Sequence, residues 1–377
     1  MQVWDGTSGS SINFDPSDAS ALSAFEAAIP GRRPAATAPE VATMTENLNT
    51  TSALLSSLDD HSKVDMLDNT RVEGIALGEE TETLDFRSWP IVSLQDTTRK
   101  LAARLLVGAD GANSPVRTFA DINARGWDYN RHGVVATVQT EGMGWGGETH
   151  KIAYQRFLPT GPIALLALPG NTASLVWSTT PERAAKLKSL SPEDFMAMVN
   201  AAFRLLPVDL DYMHTMSNGQ VEELEWREKA TAFDPVKIPQ KVMSVQEGSI
   251  ASFPLRMRHA DTYVGERVAL IGDAAHTIHP LAGQGLNQGL GDAQALAKHV
   301  NNAIAVGRDI GSSWTLDGYN AEQWAKNNAM LGVVDKLHKL YSARSGPVLW
   351  GRSLGLDAVN KLGWLKGYFM KQAAGVR

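Results

Sequence analysis

The chain has 377 residues, a formal net charge of -6, 43% hydrophobic residues and 20% charged residues, which suits a globular protein of two domains. The acidic balance argues against nucleic acid as a partner, and the lack of cysteine excludes disulfides and thiolate metal sites. A run of about eighteen apolar residues, the minimum for a membrane-spanning helix, is absent from the sequence.

The N-terminal part of the chain predicts short strands and one helix. Met1 to Asp5 favours a strand, the low-complexity stretch Pro30 to Pro39 a loop, and the leucine spacing up to Leu58 a helix. Apolar or alternating runs then predict four further strands, at Val64–Leu67, Arg71–Ile75, Trp89–Leu94 and Arg99–Val107.

The last of these strands leads into a turn that contains an acid and two glycines, GADGANSPVR from Gly108 to Arg117. Ser114 followed by Pro115 is typical of a helix N-cap with proline at the first helical position. Taken alone, this pattern indicates no more than a turn from a strand to a helix.

Closely spaced strands follow from about Trp127 onward. They are predicted at Val134–Gln139, Lys151–Phe157, Ile163–Leu168 and Ala173–Trp177, with a helix from Ser191 to Leu206 and a strand at Gln246–Pro254. The polar stretch from Asp209 to Lys241 predicts irregular structure. We interpret this block as an antiparallel or mixed sheet inserted into the first domain.

The most informative stretch is RVALIGDAAHTIHPLAGQGLNQGLGDAQALA, from Arg267 to Ala297. The run Val268 to Ile271 predicts a buried strand that ends at an acidic turn, and a helical pattern begins near Gly285. The N–H groups and partial positive charge of a helix N-terminus bind anionic groups, and Asp273 can accept hydrogen bonds from hydroxyls. The pattern predicts a site for a polar, partly anionic ligand.

This stretch resembles the second flavin-binding motif of the para-hydroxybenzoate-hydroxylase-like FAD monooxygenases, GDAAHxxxPxxGQGxNxGxxDAxxLA, without a gap from Gly272 to Ala297. The earlier turn resembles their DGxxSxVR motif. The resemblance implies FAD as cofactor. It implies that Asp273 holds flavin hydroxyls, that the ring lies by Pro280, and that the DG motif lies beside the pyrophosphate. The site residues it implies are Asp110, Gly111, Arg117, Gly272, Asp273, Pro280, Gly283, Gln284, Gly285, Leu286 and Asn287.

Other segments are similar to the ubiquinone-biosynthesis branch of that family. They are Gln155–Ala164, Leu175–Thr179, Trp89-Pro90 and Phe253–Leu255. The branch implies an enzyme that hydroxylates the ring, at C5, of a polyprenyl-4-hydroxybenzoate-type intermediate. It also implies electrons from ferredoxin and its reductase or from NAD(P)H. The protein would lie peripherally on the matrix side of the mitochondrial inner membrane, in a complex with other ubiquinone-biosynthesis proteins. No catalytic residue is assigned, because bound flavin carries the chemistry.

Members of this family begin with a strand, a GxGxxG turn and a helix, which hold the ADP half of FAD. The sequence has no such element, since the glycines from Gly142 to Gly147 lie between two predicted strands. By comparison with the family we expect about a hundred residues to be missing and FAD binding by this chain alone to be weak or lost. Two alternatives stay open: a flavin hydroxylase of a soluble phenol that uses NAD(P)H directly, and an inactive truncated form or complex subunit.

The implied fold class is α/β, with a Rossmann-like FAD/NAD(P)-binding domain, N-terminally truncated, an inserted mixed β-sheet substrate domain and a C-terminal helical segment. His276 and His279 have zinc-like spacing, but no third ligand completes a set, so no metal is predicted. The C-terminal segment Asp357–Gln372 is expected to pack on protein or to lie on a membrane surface. The predicted boundaries are 1–126 and 259–305 for the FAD-binding domain, 127–258 for the substrate domain and 306–377 for the helical region.

Overall fold

The computed structural model describes residues 1–15, 17–18, 20, 22–23, 42–95, 98–142, 151–235, 237–278, 283–342 and 359–374, without the side chains of 334, 337, 338, 340–342, 368, 369 and 371–374. The predicted loop Pro30 to Pro39, the glycines from Gly144 to Gly147, His279 and Pro280 lie outside the described residues. Among the described helices, none is long and apolar enough to cross a membrane.

The helices and strands are numbered in chain order. They are β1 Gln2–Asp5, β2 Ser11–Asn13, α1 Asn47–Asp59, β3 Val72–Leu77, β4 Pro90–Leu94, β5 Lys100–Ala102, β6 Leu106–Gly108, α2 Pro115–Phe119, β7 Ala124–Thr140, β8 Tyr154–Leu158, β9 Gly161–Ala167, β10 Thr172–Thr179, α3 Pro181–Ser189, α4 Pro192–Arg204, α5 Pro207–Met213, α6 Gln220–Glu228, β11 Val242–Val245, β12 Ala251–Ala260, β13 Val264–Gly265, β14 Val268–Leu270, β15 His276–Thr277, α7 Gly285–Ala305, α8 Ser313–Ser342 and α9 Gly363–Ala374.

The chain forms two compact units. The first comprises Met1–Leu55, Asn130–Leu255 and Leu337–Arg377. Its sheet has the strand order β11-β7-β10-β9-β8-β1-β2, in which β1 and β8 pair in parallel and the other pairs are antiparallel. The predicted mixed sheet is therefore confirmed.

Helix α4 supplies much of the core of this unit. Ser191 caps the helix by accepting a hydrogen bond from the Asp194 N–H, and Pro192 occupies its first turn, as predicted. The helix buries Phe195 and Met198 together with Trp177 of β10. Trp177 is a core residue, whereas Trp226 of α6 is 63% exposed.

The second unit comprises Ser56–Tyr129 and Arg256–Lys336. It contains a small sheet of order β13-β14-β6, in which β14 and β6 are parallel, and an antiparallel meander β3-β4-β5. Its core packs β14 against α7 and the first part of α8, through Leu270, Leu296 and Tyr319. The predicted helix that begins near Gly285 is confirmed as α7.

Four predictions of local structure were wrong. Val64 to Leu67 forms no strand. The predicted strand Arg99–Val107 is two strands, because β5 pairs with β4 whereas β6 pairs with β14. A turn at Gly248, which has a positive φ of 71°, replaces the start of the predicted Gln246–Pro254 strand.

The stretch Asp209–Lys241, predicted to be irregular, contains the end of α5 and all of α6. Pro207 begins α5, and Gly219, with a φ of 82°, precedes α6. Arg227 of α6 forms ion pairs with Glu223 and with Asp209 of α5. These helices show little apolar periodicity in the sequence, because ion pairs at their surface replace part of the apolar face.

Candidate functional site

Two acidic turns follow two neighbouring parallel strands in the second unit. The register pairs Val268 with Leu106 and Leu270 with Gly108, and the Ile271 N–H donates to the Gly108 carbonyl at 3.0 Å. The carboxyl ends of parallel strands meet at one edge of a sheet, which is where α/β folds bind ligands. The strands therefore bring the turn at Asp110 and the turn at Asp273 to the same edge.

The first turn is organised by its own side chains. Asp110 Oδ2 accepts from the Val116 N–H at 3.1 Å, and Ser114 Oγ accepts from the Arg117 N–H at 2.9 Å. Both bonds satisfy free N–H groups in the first turn of α2. Gly111 has a φ of 83°, and no heavy atom lies within 4 Å of the position of a Cβ there. Asp110 thus caps a helix, a role the sequence reasoning did not assign to it.

Arg117 joins the two turns directly. Its Nη1 donates to the Ala274 carbonyl at 2.7 Å, and its Nη2 donates to the Ala112 carbonyl at 2.8 Å. One guanidinium group therefore holds the chain after Asp110 against the chain after Asp273. The contact shows why an arginine ends the first motif: its planar fork can bond two carbonyl groups at once.

The second turn begins at Gly272, which has a φ of 58°, and continues as a short 3-10 turn to Ala274. This left-handed backbone favours glycine. The side chain of Asp273 is exposed to solvent at the edge of the sheet. It is therefore available to accept hydrogen bonds from a hydroxylated ligand.

The N-terminus of α7 follows this turn in the chain. Gly283 has a φ of 60°, and no other described residue beyond its chain neighbours lies within 4 Å of its Cβ position. Gln284 makes no side-chain capping bond to the helix. The first N–H groups of α7 thus carry the partial positive charge that binds anionic groups. Leu286 is 54% exposed and Asn287 is exposed, whereas Gln284 is buried.

A buried carboxylate lies beneath this surface. Asp292 of α7 is fully buried; its Oδ2 accepts from the Gly272 N–H at 3.0 Å and from His276 Nε2 at 2.6 Å. Its Oδ1 accepts from Asn327 Nδ2 of α8 at 2.9 Å. Asp292 is a fixed position of the second flavin motif, but sequence reasoning assigned it no role, and it missed Asn327. The available signal was the helical spacing: Asp292 lies three residues before Ala295 and four before Leu296, so it shares their buried face. A charge on a buried helix face needs hydrogen-bond partners.

Helix α8 further supports the strand that carries the second turn. Tyr319 Oη donates to the Leu270 carbonyl at 2.7 Å, and burial raises the pKa of Tyr319 and Tyr263, so both stay protonated. Burial, followed by the charge of His276, lowers the pKa of His259 to about 4. Neutral His259 can then accept from the Tyr263 hydroxyl, which lies 2.8 Å from its Nε2.

The described residues fit a flavin. Among the described residues, the space beside Gly111 and Gly283, the exposed Asp273 carboxylate and the N–H groups that begin α7 give room and suitable polarity for a large ligand. The Gln288 amide, also near this helix start, is buried without a hydrogen-bond partner among the described residues. Pro280, the remaining predicted contact, lies outside them.

Comparison with known proteins shows the family to which the chain belongs. Residues 22–332 match the FAD binding domain family. The chain is 43% identical to the ubiquinone biosynthesis monooxygenase COQ6, mitochondrial, of Saccharomyces cerevisiae over 83% of its own length and 66% of that protein. It is 38% identical to the protein of that name from Schizosaccharomyces pombe, over 98% of its own length and 74% of that protein.

The fold agrees with a solved structure as well. The p-nitrophenol 4-monooxygenase PnpA of Pseudomonas putida DLL-E4 superposes with a TM-score of 0.63 and 18% identity, over 100% of this chain and 80% of that one. At this identity the likeness shows the fold alone, and it confirms the predicted α/β class. The chain belongs to the FAD binding domain family, in the branch that contains the mitochondrial ubiquinone biosynthesis monooxygenases.

Proposed function

We propose that this chain is an FAD-dependent monooxygenase that hydroxylates the aromatic ring, at C5, of a polyprenyl-4-hydroxybenzoate-type intermediate in ubiquinone biosynthesis. The observation that carries the proposal is the joining of the two flavin motifs at one sheet edge by the Arg117 contact to Ala274. The 43% identity to a relative whose name states this pathway supports the substrate class.

The residues at this edge have distinct tasks. Asp273 would accept hydrogen bonds from flavin hydroxyls, and the N–H groups from Gly283 to Asn287 would stabilise negative charge on the reduced ring, as donors do in an oxyanion hole. Asp110 and Arg117 would keep the DG turn in place beside the pyrophosphate. Reduced FAD, when bound, activates dioxygen for transfer of one oxygen atom to the ring.

The proposal extends to the surroundings of the enzyme. Electrons would come from ferredoxin and its reductase, with direct reduction by NAD(P)H as the alternative. The prenylated phenol would be taken from a membrane surface. The protein would then lie peripherally on the matrix side of the mitochondrial inner membrane, in contact with other ubiquinone-biosynthesis proteins. The word mitochondrial in the names of the relatives supports the compartment.

The test is rescue of a yeast strain that lacks its own ubiquinone biosynthesis monooxygenase. The chain, directed to mitochondria in cells given excess riboflavin to offset weak FAD binding, is expected to restore ubiquinone, whereas its Asp273→Ala variant at equal protein level is not. No ubiquinone with either chain would contradict the proposal and favour an inactive form or a complex subunit.

Reconstitution separates the two possible substrates and electron donors. With ferredoxin, its reductase and a prenylated 4-hydroxybenzoate, mass spectrometry is expected to detect a product one oxygen atom heavier. NAD(P)H oxidation without ferredoxin, stimulated by a soluble phenol and not by the prenylated compound, would contradict the proposal and favour the soluble-phenol hydroxylase.

A further inference from the structure

The buried carboxylate of Asp292 holds three elements of the second unit together. Its partners are the Gly272 N–H at the start of the acidic turn, His276 directly after that turn, and Asn327 of α8. We call these four residues the Asp292 network. A carboxylate that is fully buried is stable only when hydrogen bonds replace its hydration, and here each oxygen accepts at least one such bond.

The two bonds to Oδ2 enclose the residue that faces the ligand. Gly272 precedes Asp273 by one residue and His276 follows it by three. Asp292 therefore accepts hydrogen bonds from the turn on both sides of Asp273. The same carboxylate belongs to α7, seven residues after Gly285, which is about 10 Å along a helix. Asp292 therefore fixes the distance between the turn that carries Asp273 and the helix start that faces the flavin ring.

Close backbone packing restricts the same geometry. A Cβ added to Gly289, one turn before Asp292, would lie 3.3 Å from the Gly272 Cα. Helix α7 and the turn thus touch through two glycines, while Asp292 bonds across the contact. Neither element can slide along the other without breaking the Gly272 bond.

We propose that Asp292 is a positioning residue for the flavin site, which acts through the Gly272 N–H and the His276 ring and does not touch the cofactor. This inference rests on the proposed function, because it takes the ligand at Asp273 to be FAD. It concerns hydrogen-bond geometry rather than charge, so an isosteric amide that keeps the three bonds should keep the site.

The Asp292→Asn and Asp292→Ala variants test the geometry. In Asp292→Asn the new amide oxygen can accept from Gly272 and His276. Its NH2 group can donate to a flipped Asn327, whose Oδ1 now has no partner among the described residues. Asp292→Ala loses all three bonds and leaves the His276 and Asn327 donors buried without that partner, so FAD affinity should fall about tenfold or more. Asp292→Asn should stay within about threefold of wild type in the same fluorescence titration.

Asn327→Ala is the matched control for a merely structural role. It removes one bond to the same carboxylate, on the side away from the turn, and should lower the melting temperature while FAD affinity stays within about threefold. Any of three results would overturn the proposal. The first is wild-type FAD affinity in Asp292→Ala. The others are a loss of FAD affinity in Asp292→Asn, or in Asn327→Ala, as large as that in Asp292→Ala.

Hydrogen exchange on the wild-type chain without FAD provides a measurement that needs no variant. The Gly272 amide is expected to exchange slowly, at the rate of the amides in the middle of α7, because both depend on the Asp292 network. Exchange at the rate of an exposed turn would overturn the proposal. A wild-type chain that shows slow exchange and yet binds no flavin would instead contradict the proposed function, so the two failures are distinguishable.

Discussion

At the scale of single residues, the candidate site combines an exposed carboxylate with side chains that form hydrogen bonds within the protein. Asp273 is exposed at the sheet edge, whereas Asp110 and Arg117, which the motif resemblance assigned to the cofactor, form hydrogen bonds within the protein. Both kinds of residue are needed for one site, because the carbonyl and N–H groups they bond fix the two turns. Motif matching identifies the residues but does not distinguish these tasks.

Arg117→Ala should lower the free energy of unfolding by about 1–3 kcal/mol, because the Ala274 and Ala112 carbonyls lose their donors. Urea denaturation measures this change. The matched control is Arg125→Ala, whose side chain is 83% exposed in its ion pair with Asp261 and should contribute less than about 1 kcal/mol. Equal effects of the two substitutions would show that Arg117 does not hold the turns together.

Acid should weaken the contact between Arg267 and Asp309. Hydrogen bonds from Arg267 hold the pKa of Asp309 at about 2, below its ordinary value of 3.8. Because the folded-state pKa is the lower one, this stabilisation is present above about pH 4 and is lost as the pH falls toward 2. Asp309→Asn should therefore lose less stability than wild type between pH 4 and pH 2 in urea titrations. An identical pH dependence in both proteins would contradict this assignment.

At the scale of elements, the parallel pair β6 and β14 determines where the site lies, and α7 and α8 support it from behind. Three elements were predictable, since each has a local signal: strand β14 before the turn at Asp273, the capped helix α2 after the turn at Asp110, and helix α7 from Gly285. The division of Arg99–Val107 was not, because the change of hydrogen-bond partner from β4 to β14 depends on residues more than a hundred positions away.

Two glycines of α7 should respond in opposite directions to alanine. Gly289→Ala places a Cβ 3.3 Å from the Gly272 Cα, and Gly272 cannot move easily because Asp292 holds its N–H, so the melting temperature should fall. Gly291→Ala meets only the Lys326 Nζ at 3.7 Å and should gain up to about 1 kcal/mol from helix propensity. A melting temperature that rises in both variants would show that the contact between α7 and the turn is loose.

At the scale of the whole molecule, the α/β fold, the mixed sheet and the family were predictable, because the long flavin motif is specific and its residues are contiguous. The Asp292 network was not, since Gly272 contributes a backbone group and Asn327 lies 35 residues beyond Asp292 in a helix expected to belong to a separate region. The four-part domain division stays a prediction beside the two units that the structure shows.

The visible spectrum of FAD in a large excess of the chain, recorded for wild type and for Asp273→Ala, tests the central claim most directly. The exposed Asp317→Ala variant of α8 serves as the control. We expect shifted and structured flavin bands with wild type and Asp317→Ala, and the spectrum of free FAD with Asp273→Ala. Identical spectra for wild type and Asp273→Ala, whether both shifted or both free, would contradict the assignment of the flavin site to this sheet edge.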